Sequence, residues 1–571
     1  MATDFNNDGS TLTDSGYPRV VKIWKRGTSI ELATTVFEGQ QSDIAANMYL
    51  SHDRGYIHEF QCRSITFYTS KYWYRSLSSI EDVTKKTANE VTTPFVEVPI
   101  PEDAEITTFA NMALITLRSD FIVPSSSSGV SFVAGSLLSL PMSELMLNNW
   151  SNVIALYSAN NPQCSLSSMS DTKDYIILKL LDNVRTRLEF WKYDKLDHTW
   201  TRKDNGNDDN ESNGGIPVGE DVTVQSTNRD TSVDNALWVM RDGYLVPDTL
   251  ELGSAEDGCA NTHVIKSKPA MFDATKLSVQ QYFATSKDGC RIPYFVIGNT
   301  NLIPDGSNPV LLDAYGGFEI SMTPGYSAGV GAGWLERGGV KVIANIRGGG
   351  EYGPAWHQAA LKEKRYKCYE DVEAVAQNLI HVRKLTCPAK LACIGGSNGG
   401  LLVGNLLTRP VSSTLFGAAV CQVPLLDMKR YSHLLAGASW MGEYGNPDIV
   451  DEWTYLRRHS PYHLLRHDIL GMPEEESPPP PPPLSSDITN DSNWKCPRTL
   501  FTTSTRDDRV HPGHARKMVA SLLEEAGVEK APKVLYWENT EGGHGGAADN
   551  EERAFMWALT YNFLARELGL D

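Results

Sequence analysis

The chain has 571 residues, room for two to four domains, and a domain of roughly 300 residues buries about 75% of its unfolded surface, so neither metals nor disulfides are needed for stability. The 70 acidic residues against 52 basic ones give a net charge of −18; this repels phosphate backbones and anionic lipid and argues against nucleic-acid and membrane-surface roles. Nine scattered cysteines without a C-x-x-C pair suit reduced thiols in a cytoplasmic protein, the polar N-terminus lacks the apolar stretch of a signal peptide, and no run approaches the roughly 18 apolar residues of a membrane helix.

From Val20 to about Asp273 the sequence offers short β-rich runs separated by turn residues: 64–74 (SITFYTSKYWY), 112–117 (MALITL), 152–157 (NVIALY), 175–181 (YIILKLL), 187–193 (RLEFWKY) and 236–240 (ALWVM). Such spacing predicts an all-β sandwich, barrel or propeller. At about 45 residues per blade, this region of roughly 250 residues within a first domain over 1–273 would supply some five or six blades, although no clean repeat is visible. The stretch 203–215 (KDNGNDDNESNGG) is polar, acidic and aperiodic, and reads as a solvated loop.

After 286–298 (SKDGCRIPYFVIG) apolar strands alternate with helical patterns, as in PVLLDAYGG, VKVIANIRGGG, YEDVEAVAQNLIHVRK and KLACIGGSNGGLLVGNLL. The alternation predicts βαβ units around a mostly parallel sheet, with a second domain over 274–571. An insertion at 473–493 carries six consecutive prolines. Such a run favours an extended left-handed helix and is a ligand type for SH3-like domains, but inside a folded domain it is more often a tolerated surface insertion.

Gly395-Gly396-Ser397-Asn398-Gly399 fits G-x-S-x-G, in which small neighbours let a strand turn sharply into a helix and expose the serine hydroxyl. The motif alone is weak. Its setting strengthens it, because an apolar strand (LACI) precedes it and a helix-like stretch (LLVGNLL) follows. A serine hydroxyl needs a histidine to take its proton and a carboxylate to orient that histidine. Downstream, 499–510 (TLFTTSTRDDRV) reads as a buried strand ending in an acidic turn, and 538–546 (ENTEGGHGG) puts His544 in a glycine-rich loop. The order serine, aspartate, histidine is that of α/β-hydrolases. Spacing does not separate Asp507 from Asp508. His511 and His514 have H-x-x-H spacing, but no third ligand cluster follows; a solvated helix start is expected there, with no metal and no cofactor.

These residues resemble the prolyl oligopeptidase family of serine peptidases. The resemblance runs from about Ser286 to Asp571, through 314–318 (AYGGF), 344–353 (ANIRGGGEYG), 395–402 (GGSNGGLL), the ASW and EYG elements of 438–445, 507–510 (DDRV) and 542–546 (GGHGG). It implies an α/β-hydrolase domain joined to a β-propeller that restricts access to short peptides, with Ser397 as nucleophile, Asp507 as orienting carboxylate and His544 as general base. It further implies that Tyr315 and the backbone N–H of Asn398 hold the oxyanion. Phe318, Leu425, Trp440, Tyr444 and Val510 fall on the family's proline pocket, and Arg509 on the position that holds a substrate carbonyl. The N-terminal half matches loosely, without the usual amino-terminal segment or enough sequence for a comfortable full propeller, so either a shortened member or an incomplete gene model is expected. Leu425 stands where the family has a smaller valine.

The expected activity is thus hydrolysis of short peptides on the carboxyl side of proline by a cytoplasmic monomer. The alternatives are another specificity on the same triad (acylated amino termini, dipeptides, esters) and a binding protein that has lost activity.

Overall fold

The structure is a computed structural model that describes residues 1–77, 94–124, 129–203, 216–472 and 494–570. The acidic loop expected at 203–215, apart from Lys203, and the insertion at 473–493 lie outside the described residues.

Between residues 45 and 267 the described chain forms four four-stranded antiparallel sheets, each built from consecutive strands, with a two-stranded hairpin inserted into the second. The sheets stack face to face as blades of a β-propeller. Phe60 and Tyr74 of the first pack with Ala113, Ile115 and Leu138 of the second. On the other face of the second sheet, Met112, Leu114 and Leu137 pack with Ile176, Leu178 and Leu180 of the third. Tyr175 and Ile177 of the third then meet Val222, Leu237 and Val239 of the fourth. Alternate residues of one strand thus serve two cores, which explains why Tyr175–Asp182 is apolar almost throughout rather than alternating.

Two expectations are corrected here. Four such sheets replace the five or six blades inferred from length: residues 20–38 form only a two-stranded ribbon, and the units over 45–97, 105–157 and 220–267 each run longer than 45 residues. The run 64–74 is not one strand. Tyr56–Ser64 and Ser70–Leu77 are paired antiparallel strands, and residues 65–69 are the turn between them. Its apolar residues resemble strand composition because Phe67 and Tyr68 face the neighbouring domain.

The rest of the described chain forms an eight-stranded sheet: β1 (Leu277–Thr285), β2 (Arg291–Asn299), β3 (Val310–Ala314), β4 (Val340–Ala344), β5 (Leu391–Gly396), β6 (Ala418–Gln422), β7 (Arg498–Ser504) and β8 (Val534–Asn539). The spatial order is 1-2-4-3-5-6-7-8, with the β1–β2 and β2–β4 pairs antiparallel and the remaining neighbours parallel. Strands β3 to β7 are buried nearly throughout, as a sheet covered on both faces requires. Helices α1 (Tyr366–Gln377), α2 (Asn398–Thr408) and α3 (Gly513–Ala520) contribute to the core on one face. Helix α4 (Asn550–Leu568) packs on the other, against Trp334 and Leu335. This is the α/β-hydrolase fold.

The two parts share buried contacts. Val184 of the propeller blades is fully buried in the core beneath α4, and Ser165 Oγ donates to the Glu351 carbonyl at 2.9 Å. Among the described residues no helix is long and apolar enough to cross a membrane, and all nine cysteines are free thiols.

Candidate active site

Ser397 occupies the corner between β5 and α2 with φ 58° and ψ −118°, a conformation that costs a non-glycine residue on the order of 1–3 kcal/mol. The glycines around it explain how the corner closes. A Cβ on Gly395 would stand 2.3 Å from the Gly399 carbonyl oxygen, and one on Gly400 2.8 Å from that of Gln422. The turn is tied to the sheet where the Ser397 N–H donates to Gln422 O at 3.0 Å.

Tyr315 follows β3, Asp507 follows β7 and His544 follows β8, so these residues and Ser397 gather at the carboxyl ends of parallel strands, where open α/β sheets bind ligands. His544 Nδ1 lies 2.8 Å from Asp507 Oδ2. The Asp507 side chain is fully buried, and its Oδ1 accepts the N–H groups of Arg509 and Val510, each at 2.9 Å. Asp508 is exposed. The His544 loop is pinned where Asn539 Oδ1 accepts the N–H groups of Glu541 and Gly542, each at 2.7 Å, and where Ser504 Oγ donates to Gly542 O.

The Ser397 side chain lies beside the Tyr315 hydroxyl. Among the described residues no hydrogen bond joins Ser397 to His544; such bonds often tighten only around substrate. Burial raises the Tyr315 phenol above its ordinary range, with the charges of Arg365 and Arg509 offsetting part of the effect. Tyr315 therefore stays protonated and able to donate at neutral pH. The Asn398 N–H, at the first position of α2, has no intrahelical acceptor.

Leu425, Trp440, Tyr444 and Val510 belong to one buried apolar cluster with Phe318 packed against it. Phe318 meets Tyr444 edge-on at 5.7 Å between centroids. Tyr444 also has a polar engagement, donating to Asn398 Oδ1 at 2.9 Å. Arg509 is exposed, with its charge felt at Tyr315. His514, expected in a solvated helix start, is instead buried at 2% exposure. It opens α3 as expected but accepts from the Asp427 N–H at 3.0 Å, because that helix packs its first turn inward. No group of three or more metal-ligating side chains occurs among the described residues.

Sequence reasoning missed a buried ionic network beneath this cluster. Glu443 is fully buried. Its Oε1 accepts from Phe318 N at 3.1 Å and Arg365 Nη1 at 2.5 Å, and its Oε2 from His357 Nε2 at 2.7 Å and the Tyr68 hydroxyl. Burial opposes ionisation, but the His357 hydrogen bond and the Arg365 charge outweigh it and hold the carboxyl down at about 2. Arg118 Nη2 lies 2.5 Å from His357 Nδ1. Arginine has no acceptor, so His357 accepts at Nδ1 and donates from Nε2. Arg365 Nη2 also reaches Gly316 O at 3.2 Å and Asn398 Oδ1, and Asn398 Nδ2 donates to Tyr315 O at 2.7 Å. The EYG element around Glu443 was the only visible signal; its partners at 68, 118, 357 and 365 are dispersed along the chain.

Residues 328–571 match the prolyl oligopeptidase family. An uncharacterized peptidase of Sinorhizobium fredii is 36% identical over 562 residues, covering 98% of this chain and 68% of that one. A prolyl endopeptidase of Elizabethkingia miricola is 33% identical over 339 residues, covering 59% of this chain and 43% of that one. Among solved structures, a post-proline cleaving enzyme from Rickettsia typhi superposes with a TM-score of 0.78 at 28% identity, covering 98% of this chain and 73% of that one. Oligopeptidase B from Leishmania major superposes with a TM-score of 0.75 at 20% identity, over 98% and 70%, which shows the shared fold. Fold and corner serine define a hydrolase of the α/β type. The chain belongs to the prolyl oligopeptidase family of serine peptidases.

Proposed function

We propose that the chain hydrolyses short peptides on the carboxyl side of proline, with Ser397 as nucleophile, His544 as general base and then acid, and Asp507 as the carboxylate that orients it. The observation that carries this reading is the buried Asp507 carboxylate, which holds His544 Nδ1 at 2.8 Å at the same end of the sheet as the strained Ser397 corner. Asp507 fixes the tautomer with hydrogen on Nδ1, leaving Nε2 to accept a proton.

In the proposed reaction Ser397 Oγ attacks the carbonyl carbon of the proline residue while its proton passes to His544 Nε2. The Asn398 N–H and the Tyr315 hydroxyl receive the developing oxyanion; one such donor is typically worth about 2.7–4 kcal/mol. Collapse expels the amine, which takes the proton from His544, and leaves an acyl ester on Ser397. Water, deprotonated by His544, then cleaves the ester. No cofactor enters.

The pyrrolidine ring is assigned to the cluster of Trp440, Phe318, Tyr444, Leu425 and Val510. A proline nitrogen in a peptide has no N–H to satisfy, so an apolar slot with aromatic faces selects it. Arg509 is assigned to a substrate carbonyl through a charge-assisted bond. The Elizabethkingia prolyl endopeptidase and the Rickettsia post-proline cleaving enzyme support this specificity by resemblance. Division of the chain at 273/274 is proposed with it, on the ground that the last blade strand ends at Ser267 and β1 starts at Leu277. Monomeric, cytoplasmic residence is also proposed, the latter supported by the nine free thiols.

The test compares an amino-blocked Gly-Pro chromogenic amide with its arginine counterpart. Selective cleavage of the proline substrate is expected. Equal or preferred cleavage of the arginine substrate would overturn the specificity.

A further inference from the structure

Phe318 and Glu319 are consecutive non-glycine residues with φ 56° and 58°, a left-handed corner that persists only where its surroundings over-determine it. Part of those surroundings comes from the propeller. Arg118 pairs with Glu319 at 3.0 Å, and the Phe67 ring meets Phe318 edge-on at 5.5 Å. The Tyr68 hydroxyl donates to Glu443, the carboxylate that also takes the Phe318 N–H. Arg118 stacks on the Tyr68 ring at 3.9 Å and supplies the donor that leaves His357 Nε2 facing Glu443. From Glu443 the bonds continue through Arg365 to Gly316 and Asn398.

We propose that Tyr68 and Arg118 are positioning residues for peptide hydrolysis, which, with the propeller docked, fix the Tyr315–Glu319 corner and Asn398 through Glu443, Glu319 and Arg365. The inference rests on the reading of Ser397, Tyr315 and Asn398 given above. Neither residue touches a reacting atom. Withdrawal of the propeller removes the Tyr68 donor from Glu443 and the Arg118 cation from Glu319, both in a largely desolvated setting where lost partners weigh most. The corner then loses the contacts that hold its unfavourable backbone. A complete triad would be left with a slack oxyanion site until the domains close again.

The test is Tyr68→Phe in the full chain, which keeps the ring against Arg118 and His357 and deletes only the hydroxyl. With the amino-blocked Gly-Pro amide, kcat is expected to fall about tenfold with KM within about twofold, as for an interaction made in the transition state. The rate of fluorophosphonate labelling should fall in parallel. Ser165→Ala, which deletes a different contact across the same domain boundary, should keep the parent kcat. Arg118→Gln, which retains a donor for His357 but removes the charge opposite Glu319, should lower kcat in the same sense and replaces Tyr68→Phe if that variant does not fold. Parent kcat in Tyr68→Phe or Arg118→Gln would overturn the proposal, as would an equal loss in Ser165→Ala. Hydrolysis surviving in Ser397→Ala would instead sink the catalytic reading itself. Hydrolysis abolished there, with Tyr68→Phe unaffected, would sink this inference alone.

Discussion

His544 Nδ1 stands 2.8 Å from one oxygen of the Asp507 carboxylate, while the other oxygen accepts two backbone N–H groups of the same turn. The turn therefore fixes the carboxylate, and the carboxylate fixes the imidazole. Asp507→Asn would offer an amide N–H where the histidine needs an acceptor. A loss of about 10⁴ in kcat is expected, whereas Asp508→Asn, on the exposed side of the turn, should keep turnover near the parent value. Steady-state assays of the two variants check this; equal losses would reverse the assignment.

Tyr315→Phe removes one of two proposed oxyanion donors and leaves the ring in place. The expected drop is about 10²–10³ in kcat, with KM little changed. A change in KM alone would mean that the hydroxyl binds ground-state substrate instead.

Trp440→Ala opens the apolar cluster without touching Ser397, Asp507 or His544. It should lower kcat/KM for the proline substrate at least about tenfold while fluorophosphonate labelling persists. Loss of labelling would make Trp440 a structural residue of the site.

Stability should fall in mild acid. Burial depresses His459 to about 3, and His463 and His514 to about 4. Between about 6.5 and 4.5 the unfolded chain binds these protons and the folded chain does not, so each histidine removes about 1.4 kcal/mol of stability per unit as pH falls. Glu351, raised to about 7 by burial, acts in the opposite sense, since the folded chain holds its proton first. These four groups together leave about two protons, or roughly 2.7 kcal/mol per unit. Denaturant midpoints measured from pH 7.5 to 4.5 should decline accordingly; a flat profile would contradict the burial of these histidines.

How much of this was legible in the sequence depends on how local each signal is. The β5, Ser397, α2 passage could be read directly, because an apolar strand, a glycine-flanked serine and an apolar helix follow one another within 18 residues (391–408). The choice between Asp507 and Asp508 could not, since it depends on which carboxylate points inward after β7. Residues 65–69 were misread as strand because Phe67 and Tyr68 are aromatic for the sake of another domain. His514 was misread because burial of the α3 start is a tertiary fact. The Glu443 network left almost no trace, its members being separated by up to 375 residues.

The central claim is tested most directly by fluorophosphonate labelling and Gly-Pro amide hydrolysis measured side by side on the parent chain and on Ser397→Ala. The account predicts both in the parent and, in the variant, no labelling and turnover lower by at least about 10⁴. Labelling or near-parent hydrolysis in Ser397→Ala would contradict it.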